Sequence, residues 1–355
     1  MKKHFYTFFA LLFIAQFVWA EVDSSVSLQT YYATANSKSD NALRLALHDI
    51  IKGHTNVTYG GLATLMQWSD TKNADGKTVV DIYTNCTYTC NGALKWISSG
   101  NVGDGMNREH TVPQSWFNKQ DPMVADAFHI YPTDAKANNN RSSFLYGEFS
   151  GKGTSYSTNK CSESGKKGTS EWKAGTTSYT YNGQTYVAST TYSSTVYEPD
   201  DEYKGDLARS YFYMATRYSD VCSGWSGGAF GSDNNGLKAY TAELMLKWHR
   251  LDPVSEKELI RNEVIYGNPI YNKSSKKQGN RNPFIDYPEL VEYIWGNKKG
   301  QSVTISALDS PYANESSQGI DEIEVAPAAR KVLMDGQLYI IVGEQMFNLQ
   351  GQRIQ

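Results

Sequence analysis

Residues 107–142 constrain the fold of this chain of 355 residues more than any other stretch. The stretch is predicted to open with a short strand that stops at Val112, because Pro113 forces the residue before it into an extended conformation and donates no hydrogen bond to a strand ladder. Glu109 and His110 therefore lie near a strand end. Adjacent side chains of a regular strand point to opposite faces, so these two can serve one site only if the strand bends there.

The end of the same stretch predicts a helix. Thr133 or Asp134, just after Pro132, can cap the first turn of this helix. Asn138 and Arg141 are three positions apart, so a helix places them on one face.

The side chains of Glu109, His110, Asn138 and Arg141 together have the chemistry of metal-assisted attack on a phosphodiester. Carboxylate and amide oxygens are hard ligands that suit Mg²⁺, which keeps several waters in protein sites. A histidine has an unperturbed pKa of about 6.5 and can take a proton from an attacking water near neutral pH. An arginine can hold a phosphate through two parallel hydrogen bonds.

Segments along the chain resemble, in order, the endonuclease I family of secreted and periplasmic nucleases, which carry the ββα-metal (His-Me finger) active site. The segments are residues 109–117, 127–144, 203–218 and 279–295. The resemblance implies His110 as general base, Glu109 and Asn138 as metal ligands, and Arg141 in the family's Asn-x-x-Arg-Ser run.

The same resemblance implies a cofactor, a substrate and a fold. The cofactor is Mg²⁺, with Mn²⁺ or Ca²⁺ as alternatives. The substrate is DNA, with RNA as a further substrate, cut with little sequence specificity to leave 5′-phosphates. The expected fold is α+β, with the ββα-metal motif inside a mostly helical catalytic domain whose length also allows two lobes around a cleft.

One feature departs from the family pattern, and the role of one site residue is left open by the sequence. The family's additional acidic residue, which supports the site, has no clear counterpart here, since Val124 stands near its expected position. Arg141 can either hold phosphate or form an ion pair with Glu109 or Asp126. His129 is interpreted as a packed, hydrogen-bonded histidine.

Three other cations, Arg108, Lys119 and Arg281, can contact phosphate or be ordinary solvated charges, and the sequence leaves both interpretations open.

The sequence also allows two other functions. The first is a zinc-dependent hydrolase that uses His110, His129 and Glu109, although the sequence has no closely spaced histidine or cysteine ligands. The second is a secreted protein without enzymatic activity whose 25 tyrosines bind a glycan or another polymer. The net charge of −3 argues weakly against a broad basic surface for nucleic acid, but it permits a local basic cleft.

Residues 1–20 have the features of a signal peptide. Lys2 and Lys3 precede an apolar run over residues 8–17, and Ala20 is a small residue before the expected cleavage point. An apolar run this short is typical of a signal peptide rather than a membrane span. We therefore expect a secreted or periplasmic monomer without a membrane span after this segment is removed.

The four cysteines are an even number in an exported chain, which favours two disulfides. Three pairings are possible. We favour Cys86 with Cys90 and Cys161 with Cys222.

The remaining sequence predicts the following organisation. The catalytic domain spans residues 21–300 and contains a surface insertion at 151–193, with a hairpin at Asn182-Gly183. A polar linker covers residues 301–330. The tail, residues 331–355, fits three short strands and resembles tails of exported bacterial proteins, which predicts a docking or sorting segment that could attach the protein to the cell surface.

Local patterns also predict individual elements. Apolar residues at helical spacing indicate helices over residues 40–51 and 206–218 and around 244–248. Ser255 and Glu258 form a capping box at the start of the next helix. A strand is expected at residues 79–83 and a last helix at 289–295.

Overall fold

The computed structural model describes residues 22–90 and 94–315, together with the backbone of residues 330–334, 337–342 and 345–347. The chain divides into two compact units, one that ends at Glu315 and one that begins at Ser316. Each unit is considered by itself. The predicted signal peptide and residues 316–329 of the predicted linker lie outside the described residues.

The first unit has an α+β fold in which helices form most of the regular structure. Its helices are α1 (Leu28–Tyr31), α2 (Asp40–Ile51), α3 (Leu62–Ser69), α4 (Ala135–Arg141), α5 (Lys204–Arg217), α6 (Ala239–Leu251), α7 (Glu256–Tyr266), α8 (Pro283–Asp286) and α9 (Leu290–Ile294). Helix α2 lies where the apolar spacing predicted it, and it buries Leu43, Leu47 and Ile51. The predicted capping box of Ser255 and Glu258 begins α7.

Helix α5 is the central element of the first unit. Every residue from Lys204 to Arg217 is buried, and the helix packs against α2, α6 and α8. A helix that is covered on all sides needs partners for its polar side chains. Arg209 on α5 accordingly pairs with Glu258 on α7 at 2.6 Å. The other expected helices, around 244–248 and at 289–295, correspond to α6 and α9.

The strands of the first unit form several small sheets. They are β1 (Thr78–Val79), β2 (Tyr88–Thr89), β3 (Met106–His110), β4 (Ile130–Asp134), β5 (Leu145–Tyr146), β6 (Lys166–Thr169), β7 (Ser178–Tyr181), β8 (Gln184–Val187) and β9 (Thr195–Glu198). The predicted hairpin joins β7 to β8, and Asn182 and Gly183 at its turn both have positive φ. Strand β6, within the predicted insertion, pairs with β9, which follows the insertion and also pairs with β5 in parallel.

The strand predicted at residues 79–83 is shorter than expected. Strand β1 ends at Val79, because the carboxylate of Asp81 accepts hydrogen bonds from the backbone of Tyr83 and the hydroxyl of Thr84 and turns the chain. Side-chain bonds of this kind compete with a strand ladder.

Strands β3 and β4 and helix α4 form the substructure that carries the predicted site. The two strands pair antiparallel along their whole length, from Met106 opposite Asp134 to His110 opposite Ile130. The chain passes directly from β4 into α4. The carboxylate of Asp134 accepts from the backbone N–H groups of Lys136 and Ala137, so it is the helix cap that the sequence predicted.

The first unit continues beyond residue 300, where a linker was expected to begin. The side chains of Val303, Ile305, Leu308 and Tyr312 are buried in its core. Asn262 donates to the hydroxyl of Tyr312 at 3.0 Å. Residues 22–315 belong to one compact unit rather than to the two lobes that the length allowed.

The predicted disulfide pairing is wrong. Cys86 forms a disulfide with Cys161, across 75 residues of sequence. The pairing follows from two segments that run antiparallel, with Thr84 opposite Glu163 and Asn85 bonded to the backbone of Ser162. Sequence proximity did not predict this disulfide, because it joins segments that are distant in the sequence.

The second unit contains an antiparallel three-stranded sheet, as the short apolar runs of the tail predicted. Its strands are β10 (Arg330–Met334), β11 (Gln337–Val342) and β12 (Gln345–Phe347), with β11 in the middle. Among the described residues of the chain, no helix has the length and apolar character needed to cross a membrane.

Candidate active site

Glu109 and His110 are the last two residues of β3, and they face opposite sides of the β3–β4 pair. The ladder remains regular to its final pair, so the bend that the sequence argument required does not occur within β3. Both side chains are nearly buried, with 2% and 4% of their surfaces exposed. The candidate site therefore consists of two adjoining environments at one strand end.

The environment of Glu109 consists of tyrosines and one arginine. The hydroxyl of Tyr83 donates to Glu109 Oε1 at 2.9 Å, and Arg141 Nε lies 3.2 Å from the same oxygen. Burial raises the pKa of Glu109 to about 7, although Arg141 and the hydroxyls of Tyr83 and Tyr146 act to lower the pKa. A cation next to this carboxyl group would favour its ionised form.

The environment of His110 fixes the orientation of the imidazole. His110 Nε2 lies 3.2 Å from the carbonyl oxygen of Val124. A carbonyl can only accept a hydrogen bond, so this contact requires the tautomer with the proton on Nε2, in which Nδ1 is the basic nitrogen. The ring is stacked near Tyr59, with 6.0 Å between centroids and 12° between planes, and meets His129 edge-on.

Burial lowers the pKa of His110 to about 3, and the neighbouring His129 adds to this effect. Hydrogen bonds with the backbone of Val124 and Arg108 act in the opposite direction. The imidazole is therefore neutral at neutral pH and available to accept a proton.

Arg141, the last residue of α4, connects that helix to the end of β3. Its side chain is fully buried. The guanidinium donates to the carbonyl of His110 at 3.2 Å and to the carbonyl of Thr111. Of the contacts that the sequence left open for Arg141, the structure contains the ion pair with Glu109. Asp126 instead accepts hydrogen bonds from other residues, among them the hydroxyl of Tyr213.

Asn138 lies on α4, one turn before its end, and faces β3. Its Nδ2 donates to the carbonyl oxygen of Arg108 at 3.3 Å, which places the amide beside the residue that precedes Glu109. The bond from Asn138 uses Nδ2 and the bond from Tyr83 reaches Glu109 Oε1, so neither of these two bonds engages Asn138 Oδ1 or Glu109 Oε2.

These two oxygens fit the requirements of Mg²⁺. Each is a hard donor, and Mg²⁺ commonly uses one or two protein ligands while waters complete its shell. Glu109 and Asn138 would be the residues that hold the ion.

The zinc alternative finds no ligand cluster in the parts of the chain that the structure describes, where no three His, Cys, Asp or Glu side chains are grouped for a metal. His129 is fully buried, and its Nε2 lies 2.7 Å from the carbonyl of Met123. This agrees with the interpretation of His129 as a packed histidine.

The three additional cations have different environments. Arg281 is fully buried against Asp286 and Glu263, which leaves no path to a phosphate. Lys119 is exposed on the loop between β3 and β4. Arg108 lies over the rings of Tyr59 and Trp96, 4.6 Å and 4.3 Å from their centroids.

Several residues of the site were not identified from the sequence. They are Tyr59, Tyr83, Trp96 and Tyr146, which surround the predicted groups, and the backbone carbonyl of Val124. Their positions arise from packing between distant segments, and none of them has a local pattern that would distinguish it from a core aromatic. Val124 acts through a carbonyl group, which every residue possesses.

The elements that form the site lie within a region that matches a known protein family. A family profile described as endonuclease I matches residues 39–289, which include β3, β4 and α4. The chain belongs to the endonuclease I family. The resemblance inferred from the sequence is thereby confirmed, and the chain is a hydrolytic nuclease whose substrate is nucleic acid.

Two curated members of the endonuclease I family are similar to this chain over most of its length. The extracellular ribonuclease of Bacillus amyloliquefaciens is 32% identical over 280 residues, which covers 78% of this chain and 81% of the relative. The extracellular ribonuclease of Bacillus subtilis (strain 168) is 32% identical over 270 residues, which covers 75% and 78%.

The role of Arg141 in this endonuclease I chain can be tested by its stability. Arg141→Met leaves the buried carboxylate of Glu109 without its cation, so we expect the free energy of unfolding to fall by about 3–5 kcal/mol in urea titrations. Adding Glu109→Gln should recover part of this loss, because the uncompensated charge is removed.

Arg44→Met is the matched control. Arg44 is also buried and donates to the carbonyl of Ala215, but no carboxylate pairs with it among the described side chains. We expect a smaller loss there. Equal losses at the two arginines, with no recovery from Glu109→Gln, would show that the ion pair does not organise the site.

Proposed function

We propose that the mature chain is a secreted, metal-dependent endonuclease that hydrolyses DNA and RNA with little sequence specificity. The observation that carries the proposal is the meeting of β3 and α4. This arrangement brings a neutral histidine, a buried glutamate and an asparagine amide together within a chain of the endonuclease I family.

His110 is the general base in this proposal. The carbonyl of Val124 holds the protonated Nε2, so Nδ1 takes the proton from the attacking water. Loss of this proton produces the hydroxide that attacks phosphorus, and the 3′ oxygen leaves, which gives products with a 5′-phosphate. Burial lowers the pKa of His110, so the ring is neutral at neutral pH.

Glu109 and Asn138 are the proposed ligands of Mg²⁺, with Mn²⁺ or Ca²⁺ as alternatives. The bound ion would supply neutralisation of the charge that develops on the phosphate and the leaving oxygen. Tyr83 holds Glu109 Oε1, and the bond from Asn138 to the carbonyl of Arg108 fixes the amide plane. Arg141 acts as a positioning residue for Glu109 and does not itself contact phosphate.

The proposed chemistry applies to both nucleic acids. The base and the ligands act on water and on a phosphodiester, and neither group reads a nucleobase or requires a 2′-hydroxyl. The named activity of the two similar Bacillus proteins favours RNA as one substrate, and their description as extracellular favours export of this chain.

The binding-protein alternative receives little support from the tyrosines. Many of them are in the core, including Tyr211, Tyr213 and Tyr218. A buried tyrosine cannot contact a glycan.

Substitution of His110 tests the proposed base. We expect His110→Ala to lower the rate of plasmid cleavage at least about 10²-fold, because general base catalysis contributes that much. His48→Ala is the matched control, since His48 also bonds backbone carbonyls through its ring but lies on α2. A His110→Ala protein that melts like the control variant and cleaves at the wild-type rate would exclude His110 as the base.

Metal replacement separates the magnesium nuclease from the zinc hydrolase. Cleavage should stop in EDTA and return when excess Mg²⁺ or Mn²⁺ is added. Recovery with Zn²⁺ alone would favour the zinc alternative, and full activity in EDTA would contradict any metal requirement. Glu109→Gln should raise the Mg²⁺ concentration needed for half-maximal rate, whereas Glu243→Gln, which changes a glutamate bonded to Ser189 and Thr190, should not.

A further inference from the structure

Arg108 has an environment that differs from those of the other arginines in residues 22–315. Its guanidinium lies over the rings of Tyr59 and Trp96, and its Nε is buried without a hydrogen-bond acceptor. No carboxylate in this part of the chain pairs with it. The other arginines of the same range each have a hydrogen bond or an ion pair. They are Arg44, Arg141, Arg209, Arg217, Arg250, Arg261 and Arg281.

The contacts of Arg108 fix its guanidinium but leave its buried Nε without an acceptor. Two aromatic rings hold the cation through their π faces, an interaction that uses none of the N–H groups. A guanidinium held in this way presents its donors along its edge, where a phosphate can accept two parallel hydrogen bonds. A buried or half-buried donor without an acceptor is costly, so an external acceptor is expected.

Arg108 is also on the same side of β3 as the proposed base. Residues two apart in a strand point to one face and are about 6.6–6.8 Å apart along it. Tyr59 contacts both, because its ring lies under Arg108 and stacks near His110. Tyr59 is 38% exposed and Arg108 is half-buried, so solvent reaches this face at Tyr59, beside the nearly buried His110.

We propose that Arg108 binds a phosphate of the nucleic-acid strand at the bond attacked from His110, and that Tyr59 and Trp96 hold Arg108 in place for this contact. The proposal rests on the proposed nuclease function. It assigns to Arg108 the phosphate contact that the sequence left open for Arg141, whose side chain is fully buried and bonded to Glu109 and to backbone carbonyls.

The test measures binding apart from cleavage. The full chain with His110→Ala is titrated in EDTA with a fluorescent single-stranded DNA of twelve nucleotides, by anisotropy, at several KCl concentrations. With Arg108→Ala added, the affinity should fall about ten- to a hundredfold, as expected for a lost charge-assisted contact. The slope of log K against log [KCl] should become shallower by about 0.7, the value for one phosphate contact on a single strand.

Two further variants separate phosphate binding from a structural role. Arg108→Lys keeps the charge but loses the planar edge, so the salt slope should remain while the affinity falls. Lys299→Ala removes an exposed lysine from the loop after α9 and should change neither quantity.

An unchanged salt slope in Arg108→Ala, while the His110→Ala parent binds DNA, would overturn the role of Arg108 and leave the nuclease proposal intact. A lower melting temperature with an unchanged slope would give Arg108 a structural role instead. Failure of the parent to bind DNA at all would overturn both proposals.

Discussion

The buried guanidinium of Arg141 connects the two elements that carry the site. Its contacts with Glu109, the carbonyl of His110 and the carbonyl of Thr111 join the end of α4 to the end of β3. A buried ion pair adds little net stability, because desolvation offsets the attraction. Its effect here is geometric, since the planar guanidinium reaches these three groups together only when helix and strand have one relative position.

In the proposed function, a regular strand supplies two adjacent residues to one reaction. Glu109 and His110 point to opposite sides of β3, and neither moves out of the ladder. Helix α4 covers the end of the strand and adds Asn138 beside the carbonyl of Arg108. In the proposed function, the phosphodiester lies across the strand end, with His110 and Arg108 on one side of β3 and Glu109 on the other.

The parts of this arrangement that the sequence predicted depend on local chemistry. Asp134 as a helix cap, Ser255 with Glu258 as a capping box and Asn182-Gly183 as a hairpin turn each involve residues within a few positions of one another. The disulfide partner of Cys86 and the hydroxyl of Tyr83 on Glu109 depend on segments brought together by folding. The spacing of residues within the sequence does not specify such contacts. A backbone acceptor such as the carbonyl of Val124 cannot be predicted from residue type, because every residue has a carbonyl.

The central claim is that water, activated at His110, attacks phosphorus directly. We would test this claim on RNA, because its 2′-hydroxyl offers a second possible nucleophile. A defined RNA oligonucleotide is cleaved with Mg²⁺ in H₂¹⁸O, and the fragments are analysed by mass spectrometry. The account predicts fragments with 3′-hydroxyls and with 5′-phosphates that carry one ¹⁸O atom. Fragments with 2′,3′-cyclic phosphates would show that the neighbouring 2′-hydroxyl is the nucleophile, and would contradict it.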